Sequence, residues 1–296
     1  MYLKTVFQSM RPPFLLLTIS CTLLAFSLAV QAQQTIAINL LLAVFFAALF
    51  AHIAVNTLNE YQDFTSGLDL QTEKTPFSGG SGALPQNPQG ARAVLMTALI
   101  SIVLTSAFGL YLLSQQGSQL LLPGLIGLGI IIAYTRSINR WPWLCLIAPG
   151  VGFGLLMVGG SYFALVGSSD MRVSLISLVP FFLVNNLLLL NQVPDIEADK
   201  QVGRAHFPIR YGVERSSLVY LIFLLVPFAL IAAMIVQHQL PALAWIAILP
   251  LFIGLFAWRG ARRFKQQIGQ QPQYLAANVA VTLLTPMLLA LSIYFG

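Results

Sequence analysis

Ile38-Asn-Leu-Leu-Leu-Ala-Val-Phe-Phe-Ala-Ala-Leu-Phe-Ala-His52-Ile-Ala-Val-Asn56-Thr-Leu-Asn59-Glu60-Tyr-Gln-Asp63 runs from apolar sequence straight into amides and carboxylates. The apolar part is long enough to cross about 30 Å of hydrocarbon as a helix, and the polar part falls at its end. A second junction of this kind ends in Asn191-Gln-Val-Pro194-Asp195-Ile-Glu197-Ala-Asp199. The chain has 9 Asp and Glu in all. Glu60, Asp63, Asp69, Glu73, Asp195, Glu197 and Asp199 lie in or beside these two segments. A charged side chain costs roughly 2.5–3.5 kcal/mol at the centre of an inserted helix, so this clustering needs a reason. Two carboxylate sets sharing a divalent cation supply one. Oxygen donors of this kind suit Mg²⁺, which usually completes its shell with substrate phosphate oxygens.

The rest of the sequence sets the class. The chain is 57% hydrophobic and 8% charged, with mean hydropathy +0.81, where a soluble domain carries about 25% charged residues. The expected fold is all-α: a polytopic membrane protein with a single domain over 1–296. Nine spans are expected near 13–30, 36–58, 92–114, 120–135, 142–166, 173–193, 216–236, 241–258 and 274–295. The fourth is short and Gly-rich. Lys4, Arg11 and a following apolar run resemble a cleavable secretory signal, but the run is longer than a usual signal core, so the first span is expected to be retained.

Nine spans with an inside N-terminus place Lys4, Arg11, Lys74, Arg92, Arg136, Arg140, Lys200, Arg204, Arg210, Arg215, Arg259, Arg262, Arg263 and Lys265 on the inner side, and Arg172 alone outside. That asymmetry follows the positive-inside rule. It gives a cytoplasmic N-terminus, a periplasmic C-terminus and an inner face carrying both acidic segments. The net charge of +6 then reads as topology and attraction to anionic lipid or diphosphate, not nucleic-acid binding. Cys21 and Cys145 sit in apolar spans and read as packing residues.

On a continuous helix Asn59 and Asp63 share a face, as do Asp195 and Asp199, while Glu197 points away. Pro194 kinks or restarts the helix at the second segment. Cations follow each acidic set: Lys74 after the first, Lys200 and Arg204 after the second, with Tyr134, Arg136 and Arg140 on another inner connection. Acids to hold Mg²⁺ and bases to hold oxygens suit a diphosphate leaving group. The Gly-rich run Phe77–Pro85 is expected to cap the site. His52 reads as a buried hydrogen-bonded residue, His206 as an inner-loop residue beside the second motif, with acceptor contact the lesser reading, and Asn185 and Asn186 as facing the bundle interior. A cation-coupled transporter is the reading of another class, but it would place its acids near the midplane.

The motifs resemble the UbiA superfamily of intramembrane prenyltransferases over nearly the whole chain. The resemblance rests on Arg11-Pro12 before the first span, on Asn59-Glu60-Tyr-Gln-Asp63 with Gly67 and Asp69, and on Asn191-Gln-Val-Pro-Asp195-Ile-Glu-Ala-Asp199-Lys-Gln-Val-Gly203-Arg204. Asp69 falls ten positions after Asn59, which is more similar to the 1,4-dihydroxy-2-naphthoate branch than to the 4-hydroxybenzoate branch. Glu60, Pro194 and Ala205-His206 depart from the usual pattern.

The resemblance implies a bundle around a central cavity open to cytoplasm and lipid. It implies Mg²⁺-dependent transfer of a polyprenyl group from its diphosphate to an aromatic acceptor, within quinone biosynthesis. Asn59, Asp63, Asp69, Asp195 and Asp199 would hold the metal, with Asn59, Asp63, Asp195 and Asp199 the catalytic set. Lys74, Tyr134, Arg136, Arg140, Asn191 and Arg204 would contact substrate. Tyr61, Phe64, Tyr134 and Tyr162 are candidate cavity aromatics. The implied location is a bacterial inner membrane, with no obligate protein partner; homogentisate or a tetrapyrrole are alternative acceptors.

Overall fold

The computed structural model describes residues 2–32, 35–72, 74–75 and 77–296. Its main helices, in chain order, are α1 (Tyr2–Ser9), α2 (Pro12–Ala32), α3 (Ile38–Thr65), α4 (Pro88–Gln116), α5 (Ser118–Ala133), α6 (Pro142–Val166), α7 (Met171–Asn191), α8 (Ile196–Gln201), α9 (Phe207–Val236), α10 (Ala242–Gln270) and α11 (Pro272–Phe295). There is no strand among the described residues. Among the described residues eight helices are long and apolar enough to cross a membrane, and α5 is a shorter apolar ninth. The expected fourth span is therefore a helix, but one that begins and ends short of a full crossing. Gly124, Gly127 and Gly129, with Pro123, limit its helical propensity.

The bundle is a ring with an inner layer. α2 packs on α3 and α11, α3 lies along α4, α6 packs on α7, and α7, α9, α10 and α11 follow in succession. α2, α7 and α11 are the more enclosed helices, whereas α4 turns most of its surface outward. Helices in lipid associate through close packing and polar contacts rather than hydrophobic burial, and the enclosed helices carry those contacts. Asn186 Nδ2 donates to the Tyr220 carbonyl at 2.8 Å. The Tyr220 hydroxyl donates to Asn278 Oδ1 at 2.9 Å, and Asn278 Nδ2 donates back to the Asn186 carbonyl at 3.3 Å. Three helices are thereby tied by one closed set of hydrogen bonds. Asn185, as expected, also faces inward, and its Oδ1 accepts from the Gly150 amide at 2.6 Å.

The α6–α7 contact depends on missing side chains. A Cβ on Gly150 would stand 2.3 Å from the Phe181 carbonyl oxygen, and one on Gly154 would stand 2.6 Å from the Ser177 carbonyl oxygen. α6 also widens into π-helical turns over Val151–Gly160, an arrangement often found beside functional sites. His52 is buried and its Nδ1 lies 2.8 Å from the Thr18 hydroxyl, in keeping with the expected structural role.

Candidate functional site

The first acidic motif occupies the last turns of α3. Helical spacing puts Asn59 over Asp63, and Asn59 Nδ2 donates to Asp63 Oδ2 at 3.0 Å and to the Thr135 hydroxyl at 3.0 Å. The helix ends at Gly67, whose φ of +79° suits only a residue without Cβ. The chain then turns back, bringing Asp69 beside the loop that follows. The second motif forms where α7 stops at Asn191. Pro194 lies in the turn, and α8 restarts at Ile196 with Asp199 buried on its inner side and Glu197 exposed beside Lys200.

Arg204 joins the two motifs. Its Nη1 donates to Asp199 Oδ1 at 2.8 Å and its Nη2 to Asp63 Oδ1. His206 does not stand free toward an acceptor: its Nε2 is 2.7 Å from Asp199 Oδ2 in a buried contact. The loop 77–82 closes over the acids as the Gly-rich run suggested. The Gly79 amide donates to Asp195 Oδ2 at 3.1 Å, and the Ser81 amide donates to Glu60 Oε2 at 2.9 Å. Lys74 Nζ donates to the Ser81 carbonyl. Arg11 reaches in from the turn before α2 and donates to Asn59 Oδ1 at 3.2 Å and Glu60 Oε2 at 3.4 Å.

These groups form one end of a cavity of about 1040 Å³. Its polar wall includes Arg11, Asn59, Asp63, Lys74, Tyr134, Asn139, Asn191, Asp195, Asp199, Arg204 and His206. Beyond them the wall is apolar, built by α3, α4, α5 and α6 from residues such as Val44, Leu112, Leu128, Phe153 and Leu156. Burial and the nearby charges of Glu60 and Asp63 push the Asp69 carboxyl up to about 7. Burial and the charge of Asp199 push Asp195 to about 7, against the pull of the Gly79 amide and Arg204.

Asp69 Oδ2 and Asn191 Oδ1 are buried with no hydrogen-bond partner among the described residues. They leave oxygen lone pairs free for a hard cation, and the donor chemistry of the whole set fits Mg²⁺. Among the described residues no three acidic or imidazole groups converge on a single ion position, because the Arg204 guanidinium lies between Asp63 and Asp199.

The structure does not bring Arg136 and Arg140 to the polar end of the cavity. Both side chains are exposed and neither reaches the cavity wall. The turn Ile138–Arg140 carries Asn139 inward instead, its amide donating to the Thr135 carbonyl. Tyr61, Phe64 and Tyr162 also lie off the wall; among the candidate aromatics Tyr134 lines it, joined by Phe14, Phe77 and Phe153. Sequence reading gave Glu60 and Arg11 no defined role in the site. Their pairing crosses 49 positions, and no spacing in the sequence signals it.

The family model for the UbiA prenyltransferase family matches residues 18–281. A 1,4-dihydroxy-2-naphthoate octaprenyltransferase from Bacillus subtilis is 33% identical over 176 residues, 58% of this chain and 55% of that protein. The enzyme of the same name from Haemophilus influenzae is 27% identical, over 60% of this chain and 58% of that protein. The chain thus spans a little over half the length of these relatives. Among solved structures, a UbiA homolog from Aeropyrum pernix K1 superposes with TM-score 0.70 at 18% identity, covering 93% of this chain and 96% of that one. A UbiA homolog from Archaeoglobus fulgidus bound to DMAPP and Mg²⁺ gives TM-score 0.64 at 15% identity, covering 94% and 99%. At these identities the likeness is one of fold. The chain is an integral membrane protein of the UbiA prenyltransferase family.

Proposed function

We propose that this protein transfers a polyprenyl group from its diphosphate to 1,4-dihydroxy-2-naphthoate, in menaquinone-type quinone biosynthesis. The observation that carries the reading is a single cavity with two chemically opposite ends. One end gathers the Asp motifs with Arg204, Lys74 and Arg11; the other is apolar. A prenyl diphosphate has the same two halves. Along α3 the wall runs from Asp63 to Val44, about 28 Å at the rise of a helix, which suits a long tail shielded from water. The naphthoate is favoured as acceptor by the relatives from Bacillus subtilis and Haemophilus influenzae.

Asn59, Asp63, Asp69, Asp195 and Asp199 would hold Mg²⁺, which when bound neutralises negative charge on the diphosphate. The chain's own residues do the rest. Asn59 orients Asp63 through its amide. Arg204 and Lys74 bring positive charge to the departing oxygens, and Arg204 also keeps Asp63 and Asp199 at a fixed separation. Asn191 and Tyr134 line the same cavity and would contact substrate. Aromatic faces there favour a developing allylic cation. The loop 77–82 covers the site and excludes water. The positive-inside asymmetry favours the cytoplasmic side for this end, and a bacterial inner membrane is the location that goes with the proposed reaction.

The test uses purified protein in detergent with Mg²⁺ and labelled polyprenyl diphosphate, offered either 1,4-dihydroxy-2-naphthoate or 4-hydroxybenzoate. A lipid-soluble product with the naphthoate alone is expected. Product with the benzoate alone would keep the chemistry and replace the acceptor. No product, with no diphosphate released, would overturn the reading.

A further inference from the structure

Glu60 is fully buried, and the proposed reaction gives it no task. A buried carboxylate is costly unless its oxygens are matched by donors, and both oxygens of Glu60 are. Oε2 accepts from the Ser81 amide at 2.9 Å and from Arg11 Nη2 at 3.4 Å, and Oε1 accepts from the Ser81 hydroxyl. The far side of the same loop is held by the second motif, through the Gly79 amide and Asp195. Three glycines shape the loop between these anchors, with φ of +74° at Gly79, +71° at Gly80 and +69° at Gly82. A Cβ on Gly80 would stand 2.9 Å from Asp69 Oδ1, so the backbone is pressed directly onto the acids. At its start, Thr75 Oγ1 accepts from the Phe77 and Ser78 amides and closes a turn. Lys74 is then tied to the Ser81 carbonyl.

Ser81 is therefore the point where Glu60, Lys74 and the loop meet. We infer that Glu60 is a positioning residue: by holding Ser81 and Arg11 together, it fixes the loop 77–82 as the wall of the cavity's polar end and presents the cations of Lys74 and Arg11 to a diphosphate. The inference rests on the proposed diphosphate reading of that end. Preorganised donors lose less freedom when the anion arrives, so the clamp acts on capture of the diphosphate substrate more than on the acceptor.

The experiment compares wild type, Glu60→Gln, Ser81→Ala and the double variant in detergent, with steady-state kinetics and hydrogen–deuterium exchange of peptides covering residues 77–84. Ser81→Ala removes one hydroxyl and keeps the fold, so it stands if Glu60→Gln does not fold. Each single variant is expected to raise KM for the polyprenyl diphosphate about tenfold, the range for a hydrogen bond to a charged group. The acceptor KM and kcat stay within about twofold, and the double variant is no worse than the poorer single one, as for two residues of one unit. Exchange in residues 77–84 is expected to quicken about tenfold in both single variants without substrate. A lower melting temperature with unchanged KM and unchanged loop exchange would overturn the inference, since it describes a residue that only supports the fold. Additive effects on KM would overturn it too. If wild type transfers no prenyl group, but inorganic diphosphate slows loop exchange in wild type and not in Glu60→Gln, the clamp stands and the proposed reaction falls.

Discussion

Asp63 and Asp199 come from helices far apart in sequence, and one guanidinium holds both. Arg204 stays between them because removing it would leave two buried carboxylates facing each other, a loss of about 3–5 kcal/mol when a buried pair is broken. The proposed metal site makes a direct demand on these residues. Asp63→Asn and Asp195→Asn should each lower Mg²⁺-dependent diphosphate release by about 100-fold or more, the scale of losing one preorganised electrostatic partner, while the protein still purifies folded. Full activity in either variant would remove the shared site. Asp69 and Asp195 also give a pH dependence. Both carboxyls sit at about 7 in the fold, above the usual 3.8. A raised folded-state pKa contributes stability that is present below the unfolded value and lost as pH rises through the folded one. In Mg²⁺-free buffer the melting temperature should therefore fall between about pH 4 and pH 7, and Asp69→Asn should flatten that fall. A slope identical in the variant would contradict it. At this scale the sequence showed the acids through their spacing, since Asn59 over Asp63 follows from helical geometry alone. It did not show Glu60 and Arg11, whose contact is set by how the turn before α2 packs on the end of α3. Adjacency to the second motif favoured Arg204 over Arg136 and Arg140, but could not dismiss those two, because every inner cation has the same explanation in topology.

Among the elements, α6 and α7 lie so close that their contact has no room for a methyl group. Gly150→Ala would place a Cβ 2.3 Å from the Phe181 carbonyl oxygen, so the helices must separate and the Asn185–Gly150 hydrogen bond must lengthen. A loss of about 1–3 kcal/mol is expected, typical of overpacking, read as a lower melting temperature in detergent with no new conformer. The Asn186–Tyr220–Asn278 set makes a milder prediction. Asn278→Ala strands the Tyr220 hydroxyl and should cost about 0.6–1.7 kcal/mol, the measured range for polar contacts between membrane helices. An unchanged melting temperature would mean that the tyrosine finds another partner. The inward placement of Asn185 and Asn186 was legible because an unpaired amide in hydrocarbon is costly. Which amide met which carbonyl was not, since that depends on the register of three helices. The shortness of α5 was visible too, in the glycines and proline that interrupt its apolar run.

For the whole molecule, the decisive feature is that one cavity joins the acids to an apolar chamber spanning much of the bundle. Hydropathy gave the helices and charge an expected orientation, but no pattern in one dimension states that α3, α4, α5 and α6 leave a space between them. That space exists partly because glycines face it. Gly152 lines the cavity, and a Cβ built there meets no heavy atom within 4 Å, in contrast to Gly150 one half-turn away. The pair separates packing from function on a single helix. Gly152→Leu should leave the melting temperature nearly unchanged, because its side chain enters open volume. If the chamber holds the isoprenoid tail, the same leucine should lower kcat/KM for a long-chain polyprenyl diphosphate about tenfold or more, within the range by which a filled pocket discriminates. A donor whose tail stops before Gly152, tested with geranyl diphosphate, should be transferred as before. Equal losses for long and short donors would instead place Gly152 beside the reacting carbon, and unchanged rates for both would mean that the tail leaves the bundle by another route.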